Sequence, residues 1–143
     1  MIDRFRGEWH FLSNFFPAII TLDLGDGVPP VECPTVEHAF QAAKTLDIAA
    51  RQRIASARDP GAAKREGRRV RLRPDWEQAK DALMERLVEQ KFRTHPDLAQ
   101  KLLATGGEEL VEGNEWGDRV WGCVRQGGRW VGQNRLGRTL MRV

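Results

Sequence analysis

Apolar positions along the chain change their period several times, and the changes divide it into elements. "AIITLDL" at 18–24 is an apolar run of strand character, and "GDG" at 25–27 is a turn signal returning the chain into a partner strand at Val31–Cys33. After Pro34 the period becomes helical. Val36, Ala39, Phe40 and Ala43 form an apolar strip within "VEHAFQAAK". With Thr35 placed as N-cap, this predicts a helix from Val36 to about Leu46. The amphipathic stretch "IAARQRIASA" follows, and Asp59-Pro60 opens a third helix that stops near Gly67. The clearest helix begins after Asp75, read as N-cap with Gln78 three residues on, close to a capping box. Trp76, Ala79, Leu83, Leu87, Val88 and Phe92 keep its helical spacing. "HPDLAQKLLATGG" is a short helix ended by glycine, "EELVEGNEWGDRVWGCVRQGGRWVG" reads as short strands and loops, and "QNRLGRTLMRV" closes with a helix. This order, without repeat or linker, predicts an α+β fold, mostly helical, in a single compact domain spanning 1–143.

Composition narrows the picture only a little. An apolar fraction of 41% and a charged fraction of 30% belong to an ordinary globular chain, not a disordered one. The net charge of +3 tilts the surface towards anionic partners, which is compatible with nucleotides or nucleic acid and selects neither. Cys33 and Cys123 are the only cysteines and lie far apart, which argues against a disulfide framework and a structural zinc site. No segment has the roughly 18 apolar residues of a membrane span, and "MIDRFRGEWHF" has no run of signal-peptide type. The expectation is a soluble cytoplasmic protein with reduced thiols, no membrane partner and no obligate protein partner.

Three stretches carry more polar chemistry than packing needs. In "VEHAFQAAK", Glu37, Gln41 and Lys44 stand at i, i+4 and i+7, so a helix sets all three on one face. That face is either a solvated surface stripe or the lining of a site where carboxylate, amide and amine act together. "FLSNFFP" wedges Ser13 and Asn14 between aromatics, as a capped turn or as a polar loop with an aromatic plate for a flat base. In "DRVWGCVRQGGRWVGQNRLGRTLMR", Asp118 and Trp121 precede Gly122, so both can project from one turn. Gln133-Asn134 lead into the last helix, whose first N–H groups are candidates for a phosphate. A basic run, Lys64, Arg65, Arg68, Arg69, Arg71 and Arg73, is either a solvated face or an electrostatic rim for a nucleotide or nucleic-acid backbone.

Taken in order, "FLSNFFP", "PTVEHAFQAAK", "DPGAAKREGRRV", "DWEQAKDALMERLVEQKF", "LLATGGEELVEG", "DRVWG" and "GQNRLGRTLMR" resemble the NADAR family, which includes the YbiA-like N-glycosidases. The resemblance implies a compact, mostly helical α+β fold without metal or cofactor. It also implies hydrolysis of an N-glycosidic bond to a ribose C1′. Its expected substrates are ADP-ribose attached to guanine, free or in nucleic acid, or phosphoribosyl-pyrimidine intermediates of riboflavin synthesis. A catalytically silent module binding ADP-ribose or NAD is the remaining reading. The match puts Glu37, Gln41 and Lys44 in the pocket. Glu37 is the first candidate for charge stabilisation or acid–base work and Asp118 the second, with Lys44 as an amine nucleophile. Ser13, Asn14, Phe15, Phe40, Trp76, Trp121, Gly122 and Asn134 are the expected substrate contacts, the tryptophans by stacking.

Overall fold

The computed structural model describes all 143 residues, Met1–Val143. Internal contacts sort the chain into two compact units, Asn14–Lys91 and the paired segments Met1–Ser13 and Phe92–Val143.

In the unit 14–91 the two predicted strands form a hairpin. Strand β1 (Ile20–Leu22) pairs antiparallel with β2 (Val31–Cys33) in the register Ile20↔Cys33, Thr21↔Glu32, Leu22↔Val31. Ile20 and Leu22 are buried while Thr21 is exposed, the alternation a half-buried strand requires. The open side of β1 is closed by a side chain. Gln90 accepts from Thr21 N–H at 2.7 Å and donates to Thr21 C=O at 3.1 Å.

Helix α1 (Val36–Ala43) follows at once and is the centre of this unit, since all eight of its residues are buried. It packs against α2 (Ile48–Ala55), α3 (Pro60–Gly67) and both strands. The N-caps expected at Thr35 and Asp59 are observed, their side chains accepting from the N–H groups of His38 and Ala62, and Asp47, which the pattern does not single out, accepts likewise from Ala50 N–H. Helix α1 is shorter than the run to Leu46 that periodicity predicts. Thr45 Oγ1 accepts from Asp47 N–H, and Asp47 is already capping α2, so the chain turns after Lys44. Helix α4 (Trp76–Thr94) starts as expected, but Asp75 does not cap it through its side chain. Its carboxylate is held by Arg73 Nε at 2.6 Å and Nη2 at 3.3 Å.

The other unit holds a 3-10 helix over Gly7–Leu12, which the sequence pattern does not announce, then α5 (Pro96–Ala104). Gly106, at φ +58°, ends α5 in the left-handed conformation expected of a terminating glycine. Strands β3 (Val124–Gln126) and β4 (Arg129–Val131) form a second antiparallel hairpin, and α6 (Arg135–Arg142) closes the chain. Gly127 and Gly128, at φ +57° and +77°, supply the two positive dihedrals of a tight hairpin turn. No helix is long and apolar enough to cross a membrane.

Candidate active site

The polar stripe of α1 is not a solvated face. Glu37 is 8% exposed and Gln41 4%. Gln41 Nε2 donates to Glu37 Oε1 at 2.8 Å, the i,i+4 contact that their spacing permits. Lys44, half-buried, stands at the C-cap of the same helix. Burial raises the Glu37 carboxyl above its ordinary range, opposed by the Gln41 hydrogen bond and by the charges of Lys64 and Lys44. Burial also lowers the Lys44 amine, opposed by Glu37 and assisted by Lys64, Arg68 and Lys80. In both groups desolvation is the largest cause, so the carboxyl and the amine are each pushed towards their neutral forms.

The neighbours of α1 fix this stripe in place. Asn14, in the "FLSNFFP" loop, accepts Glu37 N–H on its carbonyl at 3.1 Å, and its side-chain amide reaches Met84 Sδ at 3.3 Å. The loop thus serves as a buttress for the first turn of α1, with Phe15 beside it 40% exposed. His38, the other polar residue of the motif, bridges Thr35 Oγ1 at 2.8 Å and the Ala57 carbonyl at 3.0 Å, which is a structural use of both ring nitrogens. Phe40 packs against Trp76, with ring centroids 5.0 Å apart and planes tilted by 53°. Trp76 is buried there, so its face is occupied by Phe40.

Helix α3 meets the stripe at Gly67. A Cβ at this position would run into Gln41 Oε1 and would lie 2.9 Å from Cδ and 3.1 Å from Cβ of the same side chain. Gln41 Oε1 has no hydrogen-bond partner and rests against this glycine. The basic run of the sequence divides here. Lys64 acts electrostatically on both Glu37 and Lys44, and Arg68 on Lys44. Arg73 is tied to Asp26 and Asp75, while Arg65, Arg69 and Arg71 are exposed. Lys64 is the residue the sequence reading leaves undistinguished among its basic neighbours. Its i,i+4 relation to Arg68 on one face of the chain leaving α3 is the signal that was available.

The remaining residues singled out from the sequence, Ser13, Asp118, Trp121, Gly122 and Asn134, belong to the other unit. Ser13 ends the 3-10 helix by donating its N–H to the His10 carbonyl. Asp118 Oδ1 accepts from the N–H groups of Val120 and Trp121, both at 3.0 Å, so the carboxylate is the closure of the "DRVWG" turn. Arg135 lies over the half-buried ring of Trp121, 5.9 Å from its centroid. Gly122 packs so closely that a Cβ would meet the Glu112 carbonyl and approach Asn114 Nδ2 to 2.8 Å. Asn134 uses both ends of its amide on backbone, accepting from Glu112 N–H at 3.0 Å and donating to Leu110 C=O at 2.9 Å. The expectation of a phosphate on the first N–H groups of α6 is corrected. The Arg135 and Leu136 N–H groups donate to the Val120 and Trp121 carbonyls at 3.1 and 3.0 Å. Asn114, which the sequence reading passes over, pins the turn by donating to the Asp118 carbonyl and accepting from its N–H.

Comparison with known proteins adds the family. The NADAR domain model matches residues 4–143. N-glycosidase YbiA of Escherichia coli (strain K12) is 42% identical over 112 residues, covering 77% of this chain and 68% of the relative. A protein named N-glycosidase from Nostoc punctiforme is 43% identical over 136 residues, covering 92% and 81%. A riboflavin biosynthesis protein of Vibrio vulnificus is 37% identical over 135 residues, covering 93% of this chain but 34% of the relative. Among solved structures, the NMR structure of E. coli YbiA aligns with a TM-score of 0.77 at 37% identity, covering 99% of this chain and 83% of that one.

Proposed function

The chain belongs to the NADAR domain family, and from that premise we propose that it hydrolyses an N-glycosidic bond at a ribose C1′, with Glu37 and Lys44 as the reacting pair. The relatives named N-glycosidase support hydrolase activity of this class. The observation that carries the reading is a buried carboxyl and a half-buried amine on one helix face, the first raised and the second lowered by the same desolvation. Pairs of groups driven apart from their ordinary protonation states are a mark of acid–base chemistry.

The chemistry that fits this pair runs in two stages. The neutral Lys44 amine attacks C1′ as the bond from C1′ to the base nitrogen breaks, and the electron pair of that bond leaves with the base. Protonated Glu37 donates to the departing nitrogen, then as carboxylate takes a proton from the alkylated amine. The nitrogen lone pair then forms the imine to C1′ as the bond from C1′ to the ring oxygen breaks, and that oxygen takes the proton now on Glu37, leaving a protonated imine beside the Glu37 carboxylate. Water adds to the imine carbon, the C1′–lysine bond breaks, and free sugar and amine are regenerated. Positive charge builds on the sugar in the first stage as the bond electrons move to the base, so the proton that Glu37 gives the departing nitrogen is worth most there.

For the substrate, the family resemblance favours ADP-ribose attached to guanine, whose diphosphate suits the cations Lys64, Arg68 and Lys80 that act on Lys44. A phosphoribosyl-pyrimidine intermediate is the second reading, favoured by the riboflavin biosynthesis name of the Vibrio relative. The test incubates the protein with ADP-ribosylated guanosine and, separately, with riboflavin-pathway phosphoribosyl-pyrimidines, and follows released base and sugar by chromatography. Guanosine or guanine release supports the first substrate, and release from the pyrimidine supports the second. Binding of ADP-ribose with no release from either substrate overturns the enzymatic reading in favour of a binding module.

A further inference from the structure

The end of α1 that carries Lys44 is gripped by two arginines sharing one carboxylate. Arg51, on α2 and 1% exposed, donates through Nε to the Ala42 carbonyl at 3.1 Å and the Thr45 carbonyl at 3.0 Å. Its two terminal nitrogens take both oxygens of Asp26, at 3.2 and 2.6 Å. Asp26 sits in the "GDG" turn between β1 and β2. Arg73 Nη1 lies 3.7 Å from the same Asp26 carboxylate, and the Arg73 backbone N–H donates to the Lys44 carbonyl at 2.7 Å. The carbonyls of residues 42, 44 and 45 therefore all end on residues tied to Asp26.

We propose that Asp26, Arg51 and Arg73 form a positioning clamp for Lys44, holding the last turn of α1 so that the amine stays in the half-buried setting it shares with Glu37. The proposal rests on the reading of Lys44 as the reacting amine. The final carbonyls of a helix have no partners within it and are ordinarily left to water. Here the carbonyls at and just past the helix end are enclosed, and the Arg51 Nε–H, shared between those of Ala42 and Thr45, brings a guanidinium to the negative end of the helix. A buried ion pair of this kind contributes little net stability compared with apolar packing, because both charges must be desolvated. What it supplies is fixed geometry, since one rigid fork can engage two carbonyls and a carboxylate together. The side chain it places is long and flexible, and a loosened last turn would let it swing to solvent. Around that amine stand Glu37 on the same helix, Lys64 and Arg68 from α3 and its exit, and Lys80 from α4. Released to water, the amine escapes the desolvation that lowers it and titrates nearer an ordinary lysine.

The experiment is competitive acetylation of lysines across a pH series, with the Lys44 and Lys101 peptides read by mass spectrometry. It compares wild type with Asp26→Asn and Arg51→Lys, each checked for helix content by circular dichroism. The clamp predicts that the Lys44 titration moves upward in both variants, so that its labelling at neutral pH falls several-fold while Lys101 is unchanged. Turnover should fall through kcat with KM held. Arg51→Lys keeps the interior charge, and it carries the measurement if Asp26→Asn does not fold. A folded variant with the wild-type Lys44 profile overturns the clamp. The labelling needs no substrate, so the two readings fail separately. A shifted Lys44 profile together with full turnover in Lys44→Ala leaves the clamp standing and removes Lys44 from the reaction.

Discussion

Gly67→Ala sets helix propensity against the packing of the stripe. Gly67 is the last residue of α3, and its backbone is ordinary helix, so alanine there should gain up to about 1 kcal/mol on propensity alone. The new methyl, however, would meet Gln41 Oε1 and stand 2.9 Å from its Cδ. Gln41 is 4% exposed, so it has little room to yield. Moving it off its rotamer costs about 0.5–1.5 kcal/mol. Breaking its 2.8 Å bond to Glu37 leaves buried polar groups unsatisfied, at about 1–3 kcal/mol. The costs exceed the gain by roughly 0.5–3.5 kcal/mol, which at about 3 °C per kcal/mol for a chain of this size lowers Tm by about 2–10 °C. Turnover should drop about tenfold or more, because the lost amide contact misplaces the carboxyl. Thermal unfolding followed by circular dichroism, with turnover on whichever N-glycoside is accepted, measures both. A variant with raised Tm and undiminished turnover would refute the reasoning, because propensity would then have prevailed and the placement of Gln41 would not matter.

Glu37→Gln should keep the fold and lower turnover about a hundredfold or more, since an amide cannot give the departing base its proton and a positioned general acid is worth at least about that much. The same variant should be more stable than wild type at neutral pH. Burial raises the folded carboxyl above its unfolded value of about 4.3, so its contribution is fully present below that pH and lost as pH rises through the folded value. The Tm advantage of glutamine should therefore vanish in acid, and an advantage independent of pH would contradict the shift. Because Glu37 raises the Lys44 amine, its loss should also make Lys44 easier to acetylate at neutral pH, and slower labelling would contradict this. Wild-type kcat/KM should trace a bell whose two limbs lie inside the interval from about 4.3 to about 10.4, and a profile flat across it would remove both groups. Asp118→Asn should leave turnover within about threefold, because an amide oxygen can still accept from Val120 and Trp121; a loss of the size expected for Glu37→Gln would move the acid to Asp118.

Much of this was legible in the sequence, and the reasons are local. Thr35 and Asp59 cap through contacts three residues away, and a short-range signal survives any tertiary context. The i,i+4,i+7 spacing put Glu37, Gln41 and Lys44 on one face, but spacing is silent on whether that face is wet. Burial is decided by α3 and by the close approach at Gly67, partners that periodicity does not reveal. The same limit hid the clamp. Asp26 looked like turn chemistry and Arg73 like one more member of a basic run, because the separation of 25 positions from Asp26 to Arg51 closes only in three dimensions. Asn134 and Asp118 were readable as polar residues near glycines, yet their side chains are taken up by backbone groups that only the folded chain brings to them.

The most direct test of the account is to trap its intermediate. Borohydride added during turnover reduces an imine to a stable secondary amine, and mass spectrometry of the digested protein locates the sugar. The account predicts one adduct, on the peptide containing Lys44, absent from Lys44→Ala and from unreacted protein. An adduct on another lysine would relocate the nucleophile, and turnover without any trapped lysine, retained in full by Lys44→Ala, would mean that water attacks C1′ directly.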